Sequence, residues 1–158
     1  VNRFEMRELL PFAPRDLLAL VSDVAAYPRF LPWIKATRVS AHRPLPQGRT
    51  FIGEAVVGYK AFRAQFSTHV DVDEVALSVE TRLIDGPFQH LTCRWAFAPS
   101  ESGTLIDLDL HYAFSEPFLA NLLAANMDKA VKKLIAAFTS EATRRYPPFQ
   151  AAQIAPRF

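Results

Sequence analysis

The side chains in this sequence with reactive atoms are few and widely spaced. Four histidines (His42, His69, His90 and His111) and one cysteine, Cys93, offer metal-ligand atoms. They form no close-spaced ligand pattern, so no metal site is expected. In "STHVDVD" His69 shares a phase with Asp71, and in "IDLDLH" His111 shares one with Asp107 and Asp109. A proton-transfer pair needs one member perturbed by burial or by a close neighbour. Here the alternation assigns all these groups to the wet face of a strand, where they act as ordinary surface residues. Cys93 falls in the dry phase with Leu91, Trp95 and Phe97, as an inert thiol does. No G-x-S-x-G, H-E-x-x-H or phosphate-loop string occurs. No catalytic residue is assigned, and the chain reads as a binder more readily than as an enzyme.

The chemistry that does stand out is apolar. "AYPRFLPWIKATRV" (residues 26–39) sets rigid rings among prolines that break regular structure. Its Tyr27, Phe30, Leu31 and Trp33 are candidates to cover the mouth of an apolar space. Phe51, Tyr59, Phe66, Leu91 and Trp95, from strands, and Leu119, Leu123 and Met127, from the last helix, are candidates to line it. Tyr27, Tyr59, Arg63 and Asn126 are the polar residues placed to meet a headgroup. Two packings satisfy this pattern: an open chamber, or a core filled by the same Phe and Trp side chains.

Positioning these residues takes a sheet and two helices. "NRFEMRELL" (2–10) alternates as a first strand. "PFAPRDLLALVSDV" (11–24) changes to a helical period, with Pro14 and Asp16 at its amino end and a stripe of Leu17, Leu20, Val21 and Val24. Strands follow at 37–42, 50–59, 64–73 and 75–84. Val75, Leu77, Val79, Thr81 and Leu83 form the dry phase of the last of these. "RPLPQG" (43–48) and "DGPF" (85–88) read as turns between them. Leu91, Cys93, Trp95 and Phe97 carry the next dry phase, and Ile106, Leu108, Leu110, Tyr112 and Phe114 the last. With no room for crossover helices, these strands connect as antiparallel hairpins. From Ser115 to about Arg145 a single helix is predicted, with Leu119, Leu123, Met127, Ala130, Leu134 and Phe138 as its stripe, broadened by Val131 and Ile135. The fold class is therefore α+β: a curved antiparallel sheet gripping a long C-terminal helix. Residues 1–146 form the ligand-binding domain, and 147–158 a Pro-rich tail.

Composition narrows the partners. Half the residues are apolar and the formal charge is only +2, too little to mark a nucleic-acid binder, and no DNA partner is expected. The basic runs "KAVKK" and "TRRY" suit a solvated helix face, anionic lipid or RNA. A lone cysteine rules out an intrachain disulfide and fits a reducing compartment. No export signal or 18-residue apolar run is expected to span a bilayer. The cytoplasm, or the periphery of the inner membrane surface, is the expected location.

"YPRFLPW" (27–33), "DGPFQHLTCRWAF" (85–97) and "LDLHYAF" (108–114) together resemble the ubiquinone-binding (coenzyme Q-binding) protein family. That family lies within the START-like polyketide cyclase/dehydrase superfamily, and its relatives include bacterial ribosome-association toxins. The resemblance spans residues 3–146. It implies a START-like helix-grip fold, no cofactor other than ubiquinone held as a ligand, and a part in respiratory quinone handling. The ring-and-proline segment Tyr27–Trp33 would border the entrance. Ile34 stands where the family often has cysteine, so no thiol chemistry transfers to that position. The toxin relatives imply a second partner, a ribosomal subunit whose association would be blocked. The superfamily name implies a third reading, a polyketide cyclase or dehydrase.

Overall fold

The computed structural model describes residues 1–59, 62–117, 120–121 and 126–149, with side chains for all of these except Tyr59 and Phe62. Seven strands form one antiparallel sheet: β1 (Asn2–Leu10), β2 (Ile34–Leu45), β3 (Gly48–Tyr59), β4 (Phe62–Asp73), β5 (Ser78–Asp85), β6 (Phe88–Ser100) and β7 (Gly103–Phe114). Their spatial order is β1-β7-β6-β5-β4-β3-β2. Every neighbour from β2 to β7 is also a neighbour in sequence. Only β1 breaks the rule, pairing with β7 at the edge opposite β2. The chain crosses between those edges through α1 (Pro14–Ser22) and a 3-10 helix (Val24–Arg29).

The expected strand at 2–10 and first helix are both present. In α1, Pro14 stands in the first turn with Asp16, and Leu17, Leu18, Leu20 and Val21 are buried. Ala13 precedes it without a side-chain cap, as its methyl group requires.

Several boundaries differ from expectation: β2, β3 and β4 begin two or three residues earlier, at Ile34, Gly48 and Phe62, and three further differences have identifiable causes. Strand β2 runs on to Leu45 instead of ending at 42. Pro44 is tolerated because β2 is an edge strand, and the register shifts between Ser40 and Arg43, where Ala41 has a φ of 54°. Strand β5 begins at Ser78, not 75. Asp73 Oδ1 accepts hydrogen bonds from the backbone N–H of Val75 (2.9 Å) and Ala76 (2.8 Å), closing a turn that leaves Val75 70% exposed. The described part of the last helix, α2, spans Met127–Arg145. Pro117, Ala120 and Asn121 are helical too, but Asn126 sits outside helical geometry (φ −118°, ψ 7°) and opens α2. The stripe of α2 centres on Val131, Ile135, Phe138 and Ala142, which turns Ala130 to solvent.

The two faces of the sheet differ in kind. The convex face carries cross-strand ion pairs: Arg7–Asp107 (2.7 Å), Arg3–Asp109 (3.1 Å), Arg94–Glu80 (3.1 Å) and Arg82–Asp71 (3.6 Å). His111 Nε2 lies 3.1 Å from the same Asp109. The aspartates and His111 of "IDLDLH" are thus surface residues, as their phase predicts. The concave face is apolar and packs on α1 and α2. Its core includes Phe51, Val70, Val72, Val79, Trp95, Phe97, Ile106 and Leu108.

At the β6–β7 turn, Gly103 has a φ of 145°, and an added Cβ would lie 2.1 Å from the Leu10 carbonyl oxygen. Neither the backbone angle nor the space admits a side chain. Gly103→Ala is expected to lower stability by about 2–3 kcal/mol, measured by urea unfolding. A loss under 0.5 kcal/mol would mean that β1 is not held this closely against the turn.

Candidate functional site

Register lays the concave wall out in rows. One row runs Phe51–Val70–Thr81–Cys93–Leu110–Phe4 across β3, β4, β5, β6, β7 and β1. The next runs Val72–Val79–Trp95–Leu108–Met6. The second row is closed: Val72, Val79 and Leu108 are buried, and Trp95 is 7% exposed. In the first row, Thr81, Cys93 and Leu110 keep accessible surface. Beyond them Phe66, Leu83, Phe88, Leu91 and Phe114 do so as well. The wall is thus packed solid at one end and part-accessible at the other. An alternating pattern specifies the face a side chain points to and says nothing about that depth.

Aromatic contacts frame both ends. At the accessible end Phe66 meets Phe88 edge-on (6.3 Å between centroids), Phe88 stacks on Phe114 (4.9 Å), and Tyr112 meets Phe114 (5.6 Å). At the packed end Phe138 of α2 touches Tyr27 (5.5 Å), Phe30 (5.3 Å) and Trp95 (5.6 Å). One ring therefore joins helix, ring-and-proline segment and sheet.

The segment itself is a short 3-10 helix with Pro28 inside it. Tyr27 donates its hydroxyl proton to the Val21 carbonyl, tying it to α1. Gly58 N–H of β3 donates to the Trp33 carbonyl (2.8 Å), and Lys35 Nζ to the Pro32 carbonyl (2.9 Å). Proline rings and these outside donors stand in for regular hydrogen bonding.

The structure brings Tyr27 and Phe30 together at the packed end of the wall, whereas Trp33 is held beside Gly58 at the far end of β3; all three are half-buried. Leu31 (1% exposed), Phe51 (1%) and Trp95 are deep core residues. Phe66 and Leu91 lie in the accessible part, and Met127, half-buried, begins α2. Tyr59 ends β3, and Arg63 beside the β3–β4 turn is exposed. Leu119 and Leu123 lie outside the described residues. Phe88 and Phe138 were not among the sequence candidates. Phe88 was hidden inside a turn-like string, although its spacing from Phe66 and Phe114 follows once the hairpin register is known.

Two polar groups on this wall are chemically muted. Burial pushes the Cys93 thiol up to about 12, opposed by the Trp95 side chain, so the sulfur stays protonated. Burial likewise raises the Tyr27 hydroxyl well above its ordinary range. Both side chains are half-buried. The concave phase of β4 to β7 contains no carboxylate and no imidazole. Among the described residues no group of three or more potential ligands could hold a metal ion.

Two open clefts lie at the β2–β4 side of the sheet; both touch Phe51 and Val72 at the packed end of the wall and neither includes its part-accessible rows. One, of about 1040 Å³, is lined by polar outer-face residues such as His42, His69, Asp71, Glu80 and Arg82. Its carboxylates are partly neutralised by pairing, as Asp71 is with Arg82. The other, of about 430 Å³, lies between α1, β2 and the end of α2 and is rimmed by Arg15, Arg49 and Arg145. Neither offers the continuous apolar surface of the concave wall.

The end of α2 is locked to the ring-and-proline segment. Glu141, 5% exposed, is covered by two guanidinium groups rather than by depth. Arg144 grips it with two bonds (Nε to Oε1 2.9 Å, Nη2 to Oε2 2.7 Å) and Arg145 Nε adds a third (2.6 Å). Arg145 Nη1 also reaches Asp23 Oδ2 (3.2 Å), and its guanidinium lies 5.7 Å from the Phe30 ring. The i,i+3 and i,i+4 spacing from Glu141 was visible in the sequence; the reach to Asp23 was not.

The fold and site define a helix-grip domain whose sheet presents an apolar, part-accessible inner wall beneath a ring-and-proline segment. The chain belongs to the polyketide cyclase/dehydrase and lipid transport family, whose model matches residues 10–139. It is 32% identical to the ribosome association toxin RatA of Pseudomonas aeruginosa, over 87% of this chain and 93% of that one. It is 28% identical to the mitochondrial coenzyme Q-binding protein coq10 of Schizosaccharomyces pombe, over 71% of this chain and 69% of that one. The solution structure of the 18 kDa protein CC1736 from Caulobacter crescentus, 38% identical, superimposes with a TM-score of 0.78 over 91% of this chain and 97% of that one. The START-like fold expected from the resemblance is the fold found.

Hydrogen bonding from Arg144, with Arg145 adding to it, holds the Glu141 carboxyl at about 2, below its ordinary 4.5. A depressed carboxyl contributes stability above its unfolded value, and that contribution is lost as pH falls toward the folded one. Glu141→Gln is expected to cost about 1–2 kcal/mol at neutral pH. The gap from wild type should close between about pH 4.5 and 2. Thermal unfolding across that range checks it; a gap independent of pH would show that the charge is not what matters.

Proposed function

We propose that this protein binds a hydrophobic isoprenoid lipid of the ubiquinone type against the accessible part of its concave wall, and so supports respiratory quinone handling. The observation that carries the reading is the run Phe66, Leu83, Leu91, Leu110 and Phe114: apolar, facing the helix, and short of full burial. The family's lipid-transport description and the coenzyme Q-binding relative support the same ligand class. Five carbons per isoprene unit make burial worth about 3–4 kcal/mol per unit relative to water. A bilayer offers nearly the same environment, so a carrier needs only to match the membrane for cargo to pass either way. The wall's lack of carboxylates and imidazoles favours holding a molecule over transforming it. Among the described residues no helix is long and apolar enough to cross a membrane, so contact with lipid would be transient and peripheral.

Solvent extraction of the purified protein is expected to release a polyprenyl quinone identified by mass and ultraviolet absorption. Short-tailed quinone should then rebind saturably. No saturable binding at any tail length would defeat the proposal.

A second reading has its own support. RatA-named relatives reach 32% identity over 87% of the chain, against 28% over 71% and 25% over 92% for two coenzyme Q-binding relatives. Lys129, Lys132 and Lys133 on α2 are exposed and make no ion pair among the described residues. On this reading the α2 face docks on a ribosomal subunit through RNA phosphates. Cosedimentation with isolated subunits should then fall steeply with salt and drop when the three lysines become glutamine. No cosedimentation at low salt rejects it.

A further inference from the structure

The polar side chains facing the concave wall can be followed one at a time. Thr37 donates to the Val24 carbonyl (3.0 Å) and Thr68 to the Gly53 carbonyl (3.3 Å). The Tyr27 hydroxyl is taken by the Val21 carbonyl. Tyr112 is buried near the start of α2, in the field of the Asp128 carboxylate. The first three are engaged locally, and the Tyr112 hydroxyl lies one row on from Thr81, toward α2 and its Asp128 carboxylate. Thr81 is not so engaged. It lies in the middle of the wall, between Val70 on β4 and Cys93 on β6, with Val79 and Leu83 on either side along β5. It is half-buried, and its hydroxyl makes no hydrogen bond among the described residues. No fully buried side-chain oxygen or nitrogen among the described residues lacks a partner, so Thr81 Oγ1 reaches accessible space.

A hydroxyl in such a row needs a partner from outside the protein, because removing it from water unpaired costs about 1–3 kcal/mol. A lipid tail displaces water without supplying that partner; a headgroup oxygen supplies it. We propose that Thr81 is the hydrogen-bonding anchor for the headgroup of the bound lipid, and that this headgroup is neutral and carries a carbonyl-type acceptor oxygen, not a carboxylate or phosphate. The inference rests on the lipid-binding reading given above.

Neutrality follows from where the charges lie. The concave phase of β4 to β7 has no Lys or Arg. Arg49, the arginine in this phase of β3, is at the packed end, its Nη2 on Ser22 Oγ (3.2 Å) and its guanidinium over Phe51 (5.2 Å). An anionic headgroup beside Thr81 would be desolvated against Val70, Leu83 and Leu110 with no counter-charge. Beside Thr81 the Cys93 sulfur is protonated, so an electrophilic ring held there meets a thiol and not a thiolate.

The test compares wild type, Thr81→Val and Thr81→Ser in titrations with three probes. These are decylubiquinone, a branched hydrocarbon of similar size, and a fatty acid of matched length. Valine keeps the shape of threonine and suits a strand, and circular dichroism checks that the variant folds. Thr81→Val is expected to weaken quinone binding about three- to tenfold, leave hydrocarbon binding unchanged, and be rescued by Thr81→Ser. In wild type, the Thr81 and Cys93 amide resonances should shift with quinone more than with hydrocarbon. Equal quinone affinity in wild type and Thr81→Val, or resonance shifts that avoid Thr81, would overturn the anchor. A fatty acid binding more tightly than the quinone would overturn the neutral headgroup. Wild-type protein that binds neither quinone nor hydrocarbon would sink the lipid-binding reading itself, a different failure from loss of the anchor alone.

Discussion

Phe138 is where the three parts of the molecule meet. Its ring touches Tyr27 and Phe30 of the ring-and-proline segment on one side and Trp95 of the sheet on another, while its backbone belongs to α2. Edge-to-face contacts of this kind add to the burial of the rings and fix their relative angles. The consequence is positional. With α2 seated at its carboxyl end on Trp95, the tight packing of the wall is concentrated there. The rows beyond Cys93 keep accessible surface. What the inner wall can hold is therefore decided by where the helix is pinned.

Electrostatics reinforces that asymmetry. Glu141, Arg144, Arg145 and Asp23 bind the same end of α2 to the junction of α1 and the 3-10 helix. Most members of this cluster keep contact with water, so its worth comes from geometry and multiplicity more than from a buried charge pair. On the convex face, carboxylates and guanidinium groups face one another across strands, leaving little net field there. On α2, Lys129, Lys132 and Lys133 make no ion pair among the described residues. The apolar surface that covers the inner wall and the lysine-bearing surface are thus opposite sides of one helix.

Much of this architecture was readable from alternation alone. Phe66, Thr68, Val70 and Val72 point inward because strands have a period of two, and the same rule assigned Leu91, Cys93, Trp95 and Phe97. The hairpin order followed from short connections. Other features were out of reach for identifiable reasons. The turn at 74–77 forms because Asp73 captures two backbone N–H groups, a competition that hydrophobic phase does not register. The boundary at Asn126 interrupts a stripe that reads as continuous. Above all, periodicity assigns Trp95 and Leu91 to one face without revealing that the first is packed and the second part-accessible. For the same reason Thr81 reads as one more member of a dry phase until the threonines beside it, Thr37 and Thr68, are seen to have bonds.

The placement of β1 has a consequence for how the chain reaches this state. Strands β2 to β7 can zip together as successive hairpins, each closing a loop of a few residues. Pairing of β1 with β7 joins Asn2 to Tyr112 and Arg7 to Asp107, across about a hundred residues of chain. Closing so large a loop carries an entropic penalty that local pairing avoids, and is repaid only once a β7 edge exists to receive it. The amino-terminal strand is thus made early in synthesis and docked late. Until it docks, β7 presents an open edge with Leu108 and Leu110 uncovered, the interval in which the nascent protein is most exposed to mispairing with another copy.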